Sequence, residues 1–484
     1  MKGILNIKLI FHIIGIVLFF ESFFLLIDIP VSVIYGGIDF FPILFSYLIT
    51  ASTGIILFLL TRQHLVKEPT VKESFLIVGF SWLLLSLFGT LPYLFSGTIP
   101  KFVDAFFESV SGFTTTGSSI LKDIESLPKG ILFWRSETHW IGGMGIIVLI
   151  LAIFPFYNIG GTQLFTAEGS MISFEKLRPR VIETAKRLWG IYMVLTVLEI
   201  IFLTLGGMNL FDSICHSFGT IATGGFSTKN DSLMGYSPYI QYVVTIFMFL
   251  SGANFALHYF FIKGDYKRVF SNEEFRIYSF IVLIATFVIS IVLIKNGRSI
   301  EAAFREALFQ VVSIITATGF ASADYLLWPT YAWVIIFSLM FIGACVGSTG
   351  GGIKIVRHLI VYKNVRAYFN KLFHPNSVNP IRYNESIISS QLMRSIFAFY
   401  FLYLLIFIFG SFLMTALGLD LESAMGSVIT TMGGIGPGLG TVGPASNFAA
   451  VPAAGKIALT CFMIIGRLEI YSFLIIFTPF FWKI

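Results

Sequence analysis

Four glycines, Gly117, Gly225, Gly319 and Gly436, close four fourteen-residue segments: DAFFESVSGFTTTG from Asp104, DSICHSFGTIATGG from Asp212, EALFQVVSIITATG from Glu306 and SAMGSVITTMGGIG from Ser423. Twelve positions before each glycine stand Ala105, Ser213, Ala307 and Ala424; six before it stand Ser111, Gly219, Ser313 and Thr430. Glycine permits positive φ and leaves no Cβ in the way, so the main chain itself can face a ligand. A ring of main-chain carbonyls replaces the water around a cation without adding a fixed charge that would trap it. The candidate linings are Thr115-Thr116-Gly117, Thr223-Gly224-Gly225, Ala317-Thr318-Gly319 and Gly434-Ile435-Gly436. The fourth, inside GGIGPGLG, departs most from the others and offers Gly434 as a competing register to Gly436. Self-similarity at this long spacing implies four pseudo-equivalent units around one axis, and hence a pore.

Such loops need a scaffold, and composition says where it lies. The chain has 484 residues, 56% hydrophobic and 12% charged, about half the charged share of soluble domains. Apolar runs long enough for a bilayer lie near 9–27, 40–60, 74–95, 132–156, 187–207, 238–262, 275–295, 330–346 with a continuation to 362, 390–418 and 454–481. The first run follows a weakly basic start and lacks a small-residue cleavage site, so it is expected to be a retained helix. The expected fold is an all-α polytopic membrane protein: a two-helix hairpin over 1–69, then four parallel helix, pore-loop, helix repeats over 70–182, 183–273, 274–386 and 387–484. Irregular backbone at membrane depth survives only inside protein or beside a wet cavity, so the loops are expected to face inward. An acidic residue or Ser at the start of each short segment (Asp104, Asp212, Glu306, and Glu422 or Ser423) would suit a helix N-terminus. The helix C-termini would then aim partial negative charge at the loops.

Most of the 32 Lys and Arg fall in alternate loops, which puts the N-terminus in the cytoplasm and all four glycine loops outside. The net charge of +6 is not gathered into one face or tail, so nucleic acid is not expected as a partner. Cys215, Cys345 and Cys461 lie singly in apolar context and are expected in the core. No histidines stand at metal-ligand spacing, and no acid, base or nucleophile constellation supports an enzyme. An organic-solute carrier would call for inverted repeats and charged groups at the midplane, which the parallel loops disfavour. The hydrophilic stretch Tyr362–Ser389 reads as a solvated linker or as a docking surface.

Two features interrupt the apolar pattern. Gly347-Ser348-Thr349-Gly350-Gly351-Gly352, followed by Lys354, breaks the second helix of the third repeat. Consecutive glycines each lose about 1 kcal/mol of helix propensity, so an unwound segment is expected beside the pore. The run lacks GxxxxGK[ST] and a preceding strand, which argues against a phosphate loop. Arg467 lies in the last apolar run without a nearby exit to water, where a charge faces a partner or an aqueous cavity. Either an ion pair with Glu469 or Glu199, or a barrier role below the loops, would account for it. The WIGGMG run, Trp140–Gly145, reads as a close-packing face.

The loops, together with HWIGGMGIIVL at 139–149, LRPRVIETAKRLWGIY at 177–192, GSTGGGIK at 347–354 and GRLEI at 466–470, resemble the Trk/Ktr/HKT superfamily of potassium transporters. The similarity covers nearly the whole chain, including two leading helices that only one branch of the superfamily has. The resemblance implies a potassium-translocating subunit of a bacterial inner membrane, with K+ as the transported ion, no covalent cofactor, one filter per protomer and assembly as a homodimer. It also implies a cytoplasmic TrkA-like ring that binds nucleotides and regulates opening. In this reading residues 347–352 with Lys354 form an intramembrane gate, and Arg467 faces the pore. Glycine in all four loops resembles potassium-selective members; serine in the first loop accompanies sodium-permeable plant relatives. Coupling to protons or sodium is left open.

Overall fold

A computed structural model describes residues 5–62, 69–143, 145, 181–377, 379–384 and 386–482. The parts of the expected crossing at 132–156 beyond Gly145, and LRPR at 177–180, lie outside the described residues. The leading hairpin is α1 (Ile7–Ile34) and α2 (Phe40–Thr61). Its seam is a small-residue contact: a Cβ on Gly15 would stand 2.9 Å from Gly54 O, and one on Gly54 would stand 2.7 Å from Phe19 N. Such pairs let membrane helices approach closely and gain dispersion contacts that lipid would not supply. The next helix, α3 (Val71–Phe88), opens with a capping box, Thr70 accepting from Glu73 N while Glu73 Oε2 accepts from Thr70 N. Glu73 Oε1 also takes the main-chain N–H of Asn6, which ties the hairpin to the first repeat.

The repeats follow in order. The first comprises α3, the short α4 (Phe102–Phe113) and α5 (Lys129–Gly143); the second, α6 (Val181–Leu205), α7 (Leu210–Ile221), α8 (Pro238–Gly252) and α9 (Phe255–Ile262). The third has α10 (Glu273–Lys295), α11 (Ile300–Ile315), α12 (Thr330–Leu339) and α13 (Ile355–Phe373); the fourth, α14 (Ser390–Ala416), α15 (Leu421–Gly433) and α16 (Ala453–Arg467). Short helices pack on the second helix of a neighbouring repeat, α7 on α5, α11 on α8 and α4 on α16, so the chain closes on itself. Six described helices are long and apolar enough to cross a membrane, or eight if two bent pairs count as one span each. Among the described residues the protein is all-α, apart from a two-residue antiparallel ladder pairing Arg382–Tyr383 with Ser386–Ile387.

Several expectations are corrected by the structure. The runs at 238–262 and 454–481 are not straight helices but bend by 102° and 113°. At the first bend the Asn254 side chain caps α9 by accepting from Ala256 N at 2.9 Å. At the second, Glu469 and Ile470 both take positive φ. The third short helix starts at Ile300 behind an Ser299 N-cap, so Glu301 rather than Glu306 occupies its first turn. Asp104 and Asp212 do lie in first turns, while the capping side chains of α7 and α15 are Asn209 and Asp420. Cys461 is exposed, unlike Cys215 and Cys345. Within 362–389, helix α13 continues to Phe373, and the small ladder is anchored by Tyr383 Oη donating to Glu274 Oε2 at 3.3 Å.

Candidate ion pathway

Each short helix ends in the same way. The residue two before the repeat glycine takes a left-handed conformation: Thr115 at φ 55°, Thr223 at 54°, Ala317 at 57° and Gly434 at 65°. The next N–H reaches back to the helix, Thr116 to Ser111 O, Gly224 to Gly219 O, Thr318 to Ser313 O and Ile435 to Thr430 O, at 2.8–2.9 Å. The N–H groups of Thr115, Thr223 and Ala317 bond the carbonyls of Gly112, Thr220 and Ile314 at 3.0 Å. This pair of bonds is the Schellman ending of a helix, which satisfies carbonyls that would otherwise be orphaned. The column six before each glycine is thus the anchor of the loop. Non-glycine residues are held in αL in three loops, where each costs strain that the surrounding bonds must offset.

The repeat glycines then take φ of 78°, 79°, 81° and 97°. A Cβ on Gly117 would collide with Gly224 O, one on Gly225 with Thr318 O, and one on Gly319 with Ile435 O. One on Gly436 would stand 3.0 Å from Thr116 O, which returns the sequence of neighbours to the first loop. All four glycines line a single small opening of about 80 Å3. Gly436, not Gly434, therefore occupies the position of the other three; Gly434 occupies that of Thr115. Adjacent loops are also bonded in the same order. Arg135 Nη1 donates to Ser227 O at 2.8 Å, Leu233 N to Ala321 O at 3.0 Å, Tyr325 Oη to Gly438 O at 2.6 Å and Phe448 N to Ser119 O at 2.8 Å.

Behind the ring lie supports that residue spacing reveals only in part. Glu108 and Arg135 form a buried ion pair at 2.8 Å, and the other carboxylate oxygen of Glu108 accepts from Ile120 N at 2.9 Å. Arg135 also lies over the Phe226 ring, 3.6 Å from its centroid. Removing one partner of such a pair strands a buried charge, at about 3–5 kcal/mol. The position of Glu108 corresponds to His216 and Gln310 in the next two repeats, which bond Ser227 Oγ (3.0 Å) and Ala323 O (2.9 Å). Aligning the segments on their glycines would have shown a polar residue nine before the glycine in each copy. Nothing in the spacing points to Arg135 or Tyr325.

The glycine-rich segment of the third repeat runs from Met340 to Lys354 between α12 and α13, and it passes beneath the ends of the short helices. A Cβ on Gly350 would collide with Thr316 O and one on Gly351 with Gly433 O, while Thr349 Oγ1 donates to Ile221 O at 3.1 Å. Gly347 O accepts from Phe255 N at 3.0 Å, and Cys345 N donates to Gly252 O at 3.0 Å, so the segment satisfies main-chain groups freed by the break between α8 and α9. Glu274 clasps both flanks, Oε1 accepting from Val346 N (2.9 Å) and Val356 N (3.2 Å). Ser348 Oγ turns back to Cys345 O, and Lys354 Nζ donates to Gly350 O. Gly352 takes φ 73°.

Arg467 meets the same place from the fourth repeat. Its guanidinium donates to Thr115 Oγ1 (3.2 Å), Thr349 O (3.1 Å), Gly143 O (3.2 Å) and Gly142 O. One side chain thus joins a glycine loop, the segment beneath it and the end of α5. Glu469, one of the two ion-pair partners considered for Arg467 as the alternative to a barrier role, pairs with Arg357. In the WIGGMG run, a Cβ on Gly142 would collide with Phe113 O and one on Gly143 with Ala222, a close-packing face against two short helices.

Residues 41–484 match the family model TrkH, described as a cation transport protein. The chain is 40% identical over 445 residues to "Trk system potassium uptake protein TrkH" of Salmonella typhimurium, covering 90% of this chain and 91% of that one. It is 38% identical over 483 residues to the protein of the same name from Vibrio parahaemolyticus, covering 98% and 99%. The crystal structure of the potassium transporter TrkH from Vibrio parahaemolyticus superposes with a TM-score of 0.89 at 35% identity, covering 99% of this chain and all of that one. A match of this extent, together with the closed arrangement of four glycine loops, identifies the chain as a member of the TrkH family of multi-pass membrane cation transport proteins.

Proposed function

We propose that this protein takes up potassium across a bacterial inner membrane, with its N-terminus in the cytoplasm, through a filter of main-chain carbonyls donated by four loops. The filter residues are Thr115, Thr116, Gly117; Thr223, Gly224, Gly225; Ala317, Thr318, Gly319; and Gly434, Ile435, Gly436. The observation that carries this reading is the order of glycine contacts, first loop to second, third, fourth and back. Carbonyls so arranged supply oxygens to a dehydrated monovalent ion at no net charge. The relatives named as potassium uptake proteins support K+ as that ion.

The gate in this reading is the segment Gly347, Ser348, Thr349, Gly350, Gly351, Gly352 with Lys354, held by Arg467. Two cationic side chains beneath a cation filter oppose passage until they move. The assembly would be a homodimer with a cytoplasmic TrkA-like nucleotide-binding ring. Reconstitution of the full chain in liposomes tests the function: 86Rb+ uptake is expected to exceed 22Na+ uptake by about tenfold or more, the equivalent of ~1.4 kcal/mol. Equal uptake of the two ions would replace potassium with the alternative, a sodium-permeable or ion-coupled monovalent cation symporter.

A further inference from the structure

At the end of the bundle remote from the glycine loops lies a cavity of about 550 Å3, bounded by the first turns of α3 and α14, the start of α13 and the chain after the break that follows α16. This is within the range of about 300–1,000 Å3 that ligand pockets occupy. Its wall is mainly apolar, with Phe75, Ile396, Phe399 and Leu402, and its polar end is the Arg357 and Glu469 ion pair. Arg357 is 6% exposed; its Nη2 is used by Glu469, and its Cζ lies 3.8 Å from the Phe399 ring centroid. Among the described residues its Nη1 has no hydrogen-bond partner. A buried donor of this kind is costly unless something accepts from it.

One wall of the cavity is a strained turn. Ile470 takes φ 63° and ψ −59°, and Tyr471 N donates to Glu469 O at 2.7 Å. That is a γ-turn centred on a β-branched residue, a conformation that persists only where the surroundings over-determine it. Both α3 and α14 are membrane-length apolar helices, so the cleft between them borders hydrocarbon. We propose that the cavity is a site for an acyl chain of a membrane phospholipid, with an ester carbonyl oxygen of the lipid accepting from Arg357 Nη1. The chain matches the apolar wall, and a neutral acceptor fits a guanidinium whose charge Glu469 already balances.

The test uses the full chain in vesicles containing a phosphatidylglycerol with a diazirine in mid-chain, and its readout is independent of ion flux. After irradiation, adducts are expected at Ile396, Leu402 and residues 471–478, at higher yield than at Phe401 and Phe412, which face outward at 66% and 73% exposure. Leu402→Trp, or Ser395→Leu if the first variant fails to assemble, should lower the cavity adducts about fivefold, ~1 kcal/mol, and leave those at Phe412 unchanged. An ether-linked analogue, which lacks the carbonyl, should give a lower cavity yield than the ester. Cavity yields no higher than at Phe401, yields indifferent to both filling variants or to the ether linkage, or cross-links between two copies of the chain at these positions would each overturn the assignment.

Discussion

Glycine crowds two levels of this molecule for different reasons. In the upper ring, Gly117, Gly225 and Gly319 take positive φ, and each has a neighbouring carbonyl where a Cβ would stand. In the segment beneath, Gly350 and Gly351 are crowded by Thr316 O and Gly433 O, yet neither takes positive φ. The ring is also bonded through its amides, since in each of the four loops the N–H one before the glycine reaches back to the short helix. In the lower segment no described hydrogen bond is donated by the main-chain N–H of residues 349–353, while the carbonyls of Thr349 and Gly350 are held by Arg467 and Lys354. Local stability tracks such bonding, so the ring should be the fixed element and the lower segment the movable one. A ring fixed by its own main-chain bonds over a segment whose centre is held mainly by two cationic side chains is a difference that glycine content alone does not show.

The largest expected effect falls on the ring. Gly225→Ala places a methyl group against Thr318 O in a conformation that alanine already disfavours, and 86Rb+ uptake should fall about a hundredfold, ~2.7 kcal/mol. Gly436→Ala meets its nearest carbonyl only at 3.0 Å, so its loss should be milder, about tenfold. Equal losses would mean that contact between loops does not set the tolerance of the ring. Comparable protein yield and monodisperse elution of both variants would separate this effect from misfolding.

Arg467→Ala probes the lower level. The substitution removes every bond from the guanidinium to Thr115, Thr349, Gly142 and Gly143. With its restraint gone and a cation removed from the path, 86Rb+ uptake should rise about tenfold, ~1.4 kcal/mol. Arg467→Lys keeps the charge but not the fork that reaches several carbonyls at once, and should fall between. Unchanged uptake in both variants would assign Arg467 to packing and leave the lower segment without its proposed latch.

What could be read from sequence divides along the same line. The ring is legible because its requirements are local: a small residue six before the glycine accepts a bond from the residue one before it, and both sit at fixed offsets within one copy. The apolar helices are legible because composition alone sets their length. The breaks at Asn254 and Ile470 were not, since a bent pair and a straight span have the same apolar content. What stabilises the first bend is Gly347 and Cys345 from another repeat. The Arg135 contacts are equally hidden, because Glu108 comes to it from the short helix of its own repeat and Ser227 from a loop of the next. Glu306 misled for a simpler reason: spacing aligned it with Asp104 and Asp212, but Ser299 is the better cap and the helix starts there.

The smallest effect should come from within the ring, where two loops differ from the other two. In the first loop Thr114 Oγ1 donates to Val110 O at 2.6 Å and so receives the hydroxyl of Thr116 at 2.8 Å. The third repeats this with Thr316, Val312 and Thr318. The second loop has Ala222 and Gly224 at those places, and the His139 ring fills the space that a Cβ on Gly224 would take; the fourth has Gly433 and Ile435. The ring is therefore closer to twofold than fourfold in its side chains, although its backbone repeats four times. Thr116→Val keeps shape and leaves the Thr114 donor satisfied, so it should cost about 0.5–1.5 kcal/mol, the net worth of one hydrogen bond. Thr318→Val should cost the same, and because the two pairs share no partner the double variant should be additive in thermal denaturation. A coupling well above ~0.5 kcal/mol would mean that the first and third loops communicate through the filter itself, as they would if an ion bound at their common centre were the shared ligand.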